Sequence, residues 1–371
     1  MNEFPNVKKN FGFGCMRLPM DGERVDYAEF TRMVDRVLAE GFNYFDTARV
    51  YIGGQSETAL RDCLVRRYPR DSFILTDKLS TSLFKTEEEI RPLFEEQLES
   101  CGVDYFDFYL LHAQTKALFE KYKKCRAYEQ AFAFKAEGKV RHVGLSFHDS
   151  PEVLDEILTT YPQIELVQLQ FNYLDYDDPA VQSRRCYEVC RKHGKPVAVM
   201  EPVKGGRLVD LPPGACAVFD GLHGGSTASY AIRFAAGFAG IFMVLSGMSD
   251  MAQMDDNLSY MKSFVPLSDA EHEAVQKVCA ILHGKHLIPC TACRYCVDGC
   301  PKQIPIPDLF SCMNAKELTK DRNANLYHGV RTADKGKASD CVRCGKCEAA
   351  CPQHLPIREL LQNVAREFEK A

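Results

Sequence analysis

Eight of the seventeen cysteines fall into one spacing written twice. Cys290, Cys293, Cys296 and Cys300 precede Pro301, and Cys341, Cys344, Cys347 and Cys351 precede Pro352. Three thiolates in one short loop can hold three irons of a cubane. A fourth, on a segment led away by proline, reaches a second site. The two runs therefore predict two [4Fe–4S] clusters that exchange their fourth ligands. One takes Cys290, Cys293, Cys296 and Cys351; the other takes Cys341, Cys344, Cys347 and Cys300. A lone C-x2-C would leave zinc and disulfide readings open, whereas two full copies favour electron chemistry. The remaining thiols (Cys15, Cys63, Cys101, Cys125, Cys186, Cys190, Cys216, Cys279 and Cys312) are scattered. That is the pattern of a reducing cytoplasm and not of a disulfide framework. Cys186 and Cys190, four apart on a predicted helix, read as packing.

A second group of reactive side chains depends on where strands end. Apolar, β-branched or aromatic runs occur at 11–18, 42–48, 72–78, 105–113, 140–147, 165–174, 196–203 and 240–248. Segments of helical period separate them. Asp26 to Glu29 and Thr86 to Glu89 have the spacing of capping boxes. Ser150-Pro151 and Asp178-Pro179 each place an N-cap before a proline at the first helical position. Eight strands alternating with helices over about 250 residues predict a (β/α)8 TIM barrel. A doubly wound open sheet is the competing architecture, and it lacks its G-x-G-x-x-G after an early strand. In a barrel the C-terminal strand ends form the chemical face. Asp46 ends the second strand, Tyr51 follows it, Lys78 ends the third and His112 the fourth.

Ser268 and Glu271 form another capping box, so a helix is expected from Ser268 to about residue 283. The expected division is a barrel over 1–266, a linker helix over 267–284 and an iron–sulfur module over 285–371. The 40-residue insert between the cysteine runs, helical near 307–319, predicts a small, mainly α-helical module.

The phrases GFNYFDTARVY, ILTDK and YFDFYLLHA resemble motifs of the aldo-keto reductase superfamily, in that family's order, over roughly residues 10–263. The C-terminal segment resembles the subgroup with an appended ferredoxin-type module. The resemblance implies hydride transfer between NADPH or NADH and a small-molecule carbonyl or alcohol. It makes Asp46, Tyr51, Lys78 and His112 the catalytic tetrad. Tyr51 would protonate the developing alkoxide. Lys78 would lower the phenol's pKa from its usual value near 10. Asp46 would hold Lys78, and His112 would donate to the carbonyl oxygen. Ser146 and Gln168 match positions that bind the nicotinamide carboxamide. Phe147 replaces an asparagine common there, with His148 as a candidate substitute, and Met200 replaces a stacking aromatic ring. Gly247, Gln253, Asp256 and Asn257, in SGMSDMAQMDDNL, match the adenosine phosphate end. Gln253 stands where NADPH-selective members often carry arginine.

The 371-residue chain carries a net charge of −5, which gives no nucleic-acid signal. The first residues lack the apolar run of a signal peptide, and no apolar stretch approaches the roughly 18 residues of a membrane span. A cytoplasmic enzyme is the expectation. The alternative function is an electron-transfer or partner-docking iron–sulfur protein with the barrel as scaffold. A redox partner protein is one destination for the cluster electrons.

Overall fold

Each apolar run contains one strand of the computed structural model. It describes residues 4–178, 181–284, 287–288, 290, 292, 294–320, 323–351 and 353–369. Cys293, Pro179 and Pro352 lie outside the described residues. The barrel strands are β1 (Phe11–Gly14), β2 (Tyr44–Asp46), β3 (Ile74–Leu79), β4 (Phe106–Gln114), β5 (Val140–Phe147), β6 (Leu166–Gln170), β7 (Val197–Met200) and β8 (Ile241–Ser246). All pair in parallel with their sequence neighbours, and β1 pairs with β8 to close the barrel.

Strand residues alternate between two faces, and the barrel buries both. Inside lie Tyr44, Phe108, Leu110, Leu166, Ala198, Met243 and Leu245, with Phe4 packed among them. Gly144 on β5 meets this core without a side chain. A Cβ there would stand 2.6 Å from Leu166 and 2.7 Å from Leu110, so the filled interior excludes even alanine. Outside, helices bury their apolar stripes on the strands. Tyr27–Ala39 buries Phe30, Met33, Val34 and Val37, and Asp26 caps it by accepting from the Glu29 N–H at 3.0 Å.

One expected cap is corrected. The Thr86 box does not form. Glu89 instead accepts from the Lys85 N–H at 2.6 Å, and the helix starts at Ile90, with Pro92 in its first turn. The expected Asp178-Pro179 helix start falls on residues outside those described. Asp178 accepts from the Val181 N–H at 3.0 Å and from Ser311, and a helix runs from Ser183 to Lys192. Ser150 does precede the helix Pro151–Thr160, although its side chain makes no capping bond.

The helix Asp269–His283 carries the Ser268–Glu271 capping box and leaves the barrel toward the cysteine runs. Glu271 also takes a two-pronged ion pair from Arg233, at 2.7 and 3.0 Å. That pair fixes the helix to the barrel wall. Beyond it lies a separate apolar core of Ile304, Ile306, Leu309, Phe310, Ala338, Leu355, Ile357, Leu361 and Val364, together with Cys296, Cys347 and Cys351. The elements around it are helical: Tyr295–Asp298, Ile306–Thr319, Asn323–Thr332, Lys346–Ala349 and Ile357–Phe368. The insert thus supplies two helices, and they touch the barrel at its C-terminal face. Ser311 donates to Asp178 at 2.9 Å. Asn323 and Tyr327 donate to Gln170 at 3.2 and 3.3 Å.

Candidate active site

Asp46 and Lys78 point into the barrel from adjacent strands because each lies two residues beyond another inward group, Tyr44 and Thr76, which bond to each other at 2.7 Å. Lys78 has no solvent contact. Its Nζ donates to Asp46 Oδ1 at 2.5 Å and to the Thr47 carbonyl at 2.8 Å. Gln168 Nε2 donates to the other Asp46 oxygen at 3.2 Å. Tyr51 opens a short 3-10 turn, Tyr51–Gly54, and its ring centre is 4.9 Å from the Lys78 ammonium. His112 meets that ring edge-on at 6.1 Å. One end of the barrel therefore gathers an ammonium, a phenol and an imidazole, with a carboxylate behind them.

Burial works to lower the Lys78 pKa, yet Asp46 and then Tyr51 raise it above its ordinary value, so the ammonium persists. Burial pushes the Asp46 carboxyl up, and Lys78 and Gln168 hold it back. Removing either partner would strand a buried charge, at a cost of about 3–5 kcal/mol. The Tyr51 expectation needs correcting. Lys78 pulls the phenol down as anticipated, but burial outweighs it and the net shift is upward. A phenolate loses most of its hydration in this site, and one ammonium already shared with Asp46 does not replace it. His112 is held well below its usual range by burial, then by Lys78 and His148, so its ring is neutral. Ser80 Oγ lies 2.6 Å from His112 Nδ1. With the Ser80 hydroxyl donating, Nδ1 accepts and Nε2 carries the proton, the tautomer needed to donate toward an oxygen.

Ser80 was not singled out from sequence. Its signal was the strand alternation that places residue 80 on the face of Lys78. Nor were Glu57 and Asp77, buried behind Lys78. Burial raises both carboxyl pKa values, and at Asp77 the neighbouring Glu57 adds to the rise. Asp77 accepts from the Lys78 backbone N–H at 2.7 Å, Arg49 donates to Glu57 at 2.7 Å, and Gln97 donates to the Lys78 carbonyl at 3.1 Å. Both sides of the Lys78 peptide are thereby fixed.

The nucleotide candidates divide. Ser146 sits near the end of β5, its Oγ accepting from the Ala113 N–H at 2.7 Å, and Gln168 lies midway along β6, bonded to Asp46. Gly247 and Gln253 flank the start of the helix Met251–Met261. Gln253 donates to the Asp250 carboxylate at 2.9 Å. Asn257 is turned inward, donating to Ser246 at 3.1 Å and accepting from Tyr260 at 2.5 Å. Asp256 accepts from Ser226 at 2.6 Å.

The cysteine runs interleave in space. Cys290, Cys296 and Cys351 line one cavity with Ile306, Phe310 and Leu355. Cys300, Cys341, Cys344 and Cys347 line a second. Soft thiolates in a dry apolar pocket suit iron–sulfur clusters, and each cavity mixes cysteines from both runs. A larger cavity, of about 1000 Å³, lies between Tyr173, Lys204, His272 and Cys290. No tetrad residue is among its described lining residues.

A family model described as "Aldo/keto reductase family" matches residues 10–280, and one described as "4Fe-4S dicluster domain" matches residues 289–355. The 4-dihydromethyl-trisporate dehydrogenase of Mucor mucedo is 26% identical over 191 residues, 44% of this chain and 56% of that protein. The NADH-specific methylglyoxal reductase of Escherichia coli is 26% identical over 185 residues, 45% of this chain and 54% of that protein. The match thus spans little more than half of these two relatives. Among solved structures, the holo form of an aldo-keto reductase from Bacillus halodurans aligns with a TM-score of 0.57 at 24% identity, over 73% of this chain and 92% of that one. One from Klebsiella pneumoniae in complex with NADPH gives 0.58 at 18% identity, over 73% and 95%. At these identities the structures show a shared fold.

Proposed function

Since this chain belongs to the aldo/keto reductase family and carries a 4Fe-4S dicluster domain behind its barrel, we propose that it interconverts a carbonyl and an alcohol by nicotinamide-dependent hydride transfer, with Asp46, Tyr51, Lys78 and His112 as its catalytic groups. The observation that carries this reading is the buried Lys78–Asp46 pair beneath Tyr51, with His112 alongside. A bound nicotinamide nucleotide supplies the hydride. His112 Nε2–H donates to the carbonyl oxygen, and Tyr51 gives its proton to that oxygen as it becomes an alkoxide. Lys78 stabilises the phenolate left behind, and Asp46 keeps Lys78 charged. Single-turnover oxidation of NADH or NADPH by a panel of aldehydes and ketones tests the proposal. If none oxidises either nucleotide, the barrel is a scaffold.

Ser146, Gln168, Gly247, Gln253, Asp256 and Asn257 remain the proposed nucleotide contacts. NADH is the better fit. The Asp250 carboxylate, at the start of the helix beside Gln253, repels a 2′-phosphate, and glutamine offers no charge to offset it. Asp250→Ser combined with Gln253→Arg is expected to raise the ratio of NADPH to NADH affinity by about tenfold, because a guanidinium pairs bidentately with phosphate. Fluorescence titration of both nucleotides measures it. An unchanged ratio would place the adenosine end elsewhere.

The proposed division is a barrel over 1–266, a linker helix over 267–284 and an iron–sulfur module over 285–371. Cys290, Cys293, Cys296 and Cys351 would hold one [4Fe–4S] cluster, and Cys341, Cys344, Cys347 and Cys300 the other. Such clusters supply one-electron transfer. Cys344 and Val342 are exposed at the second cavity, which favours exchange of electrons there with an external redox partner. Among the described residues no helix is long and apolar enough to cross a membrane. The cytoplasm stays the proposed location, argued from the scattered thiols.

A further inference from the structure

The two cysteine cavities differ in their access to water. Cys296 and Cys351, at the first, are buried. At the second, Cys344 is exposed, Cys341 is half-buried, and the apolar side chain of Val342 stands out into solvent between them.

Cations surround this opening. Lys302 and Arg358 line the cavity itself. Arg343 lies between Val342 and Cys344, which both line it. Lys346 opens the helix Lys346–Ala349, and its Cβ comes within 3.9 Å of where a Cβ at Gly299, beside Cys300, would stand. Gly336 packs on the Lys302 carbonyl so closely that a Cβ there would be 2.1 Å from the oxygen. That contact brings Lys335 and Lys337, on either side of Gly336, to the same rim. Arg358 is engaged by Glu348 at 2.6 Å. Lys302, Lys335, Lys337, Arg343 and Lys346 are exposed, and none of them is in an ion pair among the described residues. The carboxylates that adjoin these segments are fewer. They are Asp298, Asp340 and Glu359, besides Glu348, while Asp334 pairs away with Lys116 of the barrel at 3.4 Å. The rim is therefore positive on a chain whose net charge is −5.

A positive rim around a small apolar centre steers a negatively charged partner and then gives it a dry point of contact. The Cys344 thiolate at that centre points to a partner that exchanges electrons, over other polyanions. Building on the cluster assignment above, we propose that this rim docks a small, acidic, one-electron carrier protein of the ferredoxin class over Val342 and Cys344. The cluster of Cys300, Cys341, Cys344 and Cys347 is then the port for electrons, and the buried one lies behind it. The step moves one electron. As the reduced carrier is oxidised by one unit, the cluster passes from [4Fe–4S]2+ to [4Fe–4S]+, or the reverse. No bond breaks and no proton moves. Encounters of this kind are small and short-lived.

The test uses the full chain, prepared anaerobically with its clusters. The probe is an acidic plant-type [2Fe–2S] ferredoxin, and basic cytochrome c is its opposite. Calorimetric titration is expected to show ferredoxin binding at low ionic strength that weakens about tenfold at physiological ionic strength. Lys302→Glu combined with Lys346→Glu is expected to lower ferredoxin affinity, and the stopped-flow rate of cluster reduction by ferredoxin, by about tenfold or more. Iron content and visible absorbance should stay as in the wild type. Lys302→Gln with Lys346→Gln, a milder pair in case the reversal disturbs the cluster, should show a smaller loss in the same direction. Lys124→Glu, exposed at the end of the barrel helix Lys116–Lys124, should change neither quantity. The proposal is overturned by a wild type that holds its irons yet binds no ferredoxin, or that binds cytochrome c more tightly. Affinity that ignores both salt and the lysine pairs overturns it as well. So does binding to phosphatidylserine vesicles in place of ferredoxin, which would make the rim a lipid contact. A wild type without irons overturns the cluster assignment itself, and iron analysis shows that before any titration begins.

Discussion

Tyr51→Phe is expected to slow carbonyl reduction by about 10²–10⁴-fold, the usual span for losing a positioned general acid. Nucleotide affinity should change by less than about twofold, because the ring that rests on Lys78 is retained and only the hydroxyl is lost. Single-turnover reduction and nucleotide titration on the same samples check both halves. Near-full activity in the variant would remove Tyr51 from the mechanism. The upward shift of the Tyr51 pKa adds a pH signature. A phenol titrating above its ordinary value stays protonated through the neutral range. Reduction, which needs the protonated form, should then be flat from about pH 6 to pH 9. Alcohol oxidation needs the phenolate as base and should climb as pH rises toward the phenol's pKa, by about tenfold per unit. In Tyr51→Phe that climb should vanish.

Cys300→Ser is expected to damage the cluster built on Cys341, Cys344 and Cys347, and to leave the one in its own run standing. The second cavity draws Cys300 together with those three, whereas Cys290 and Cys296 face the first cavity beside Cys351. Anaerobically prepared wild type should hold about eight irons, as two cubanes require, and the variant about four. Electron paramagnetic resonance of the reduced protein separates the two signals. Selective loss of the signal belonging to the Cys290 run would mean that each run ligates within itself.

How much of this was legible depended on whether a residue's neighbours were close in sequence or fixed by a period. The eight apolar runs each contain a strand, since a strand buried on both faces needs continuous apolar residues. The capping box at Ser268 was legible because both its partners lie within three residues. Thr86 shows the limit of that local rule. Its spacing was right, yet the Glu89 carboxylate found the Lys85 N–H and the helix began later. Tyr51 shows another. Its acidity depends on the balance between Lys78 and desolvation, and burial cannot be read from residue type. Glu57, Asp77 and Gln97 were out of reach because they meet only when helix and strand pack. The landing of Tyr327 on His148 joins residues 179 positions apart, and no pattern in the sequence encodes it.

The interleaving of the cysteines also constrains the order of events as the chain matures. Each cavity takes a wall from residues near 290–300 and another from residues near 341–351, so closing either loop must wait until the chain has emerged past Cys351. Bringing two such distant stretches together is an entropic cost that grows slowly with the length between them, and metal insertion at either cavity fixes both. Clusters ligated across the two runs would therefore mature as one cooperative unit, not as two beads on a string. The helix Asn323–Thr332 lies inside that loop, so it is tethered at both ends once the unit closes. A barrel completed first would expose the ends of β5 and β6 to water until that moment. The helix that roofs this side of the barrel's mouth, over Gln170, therefore belongs to a segment whose two ends are both cysteine runs.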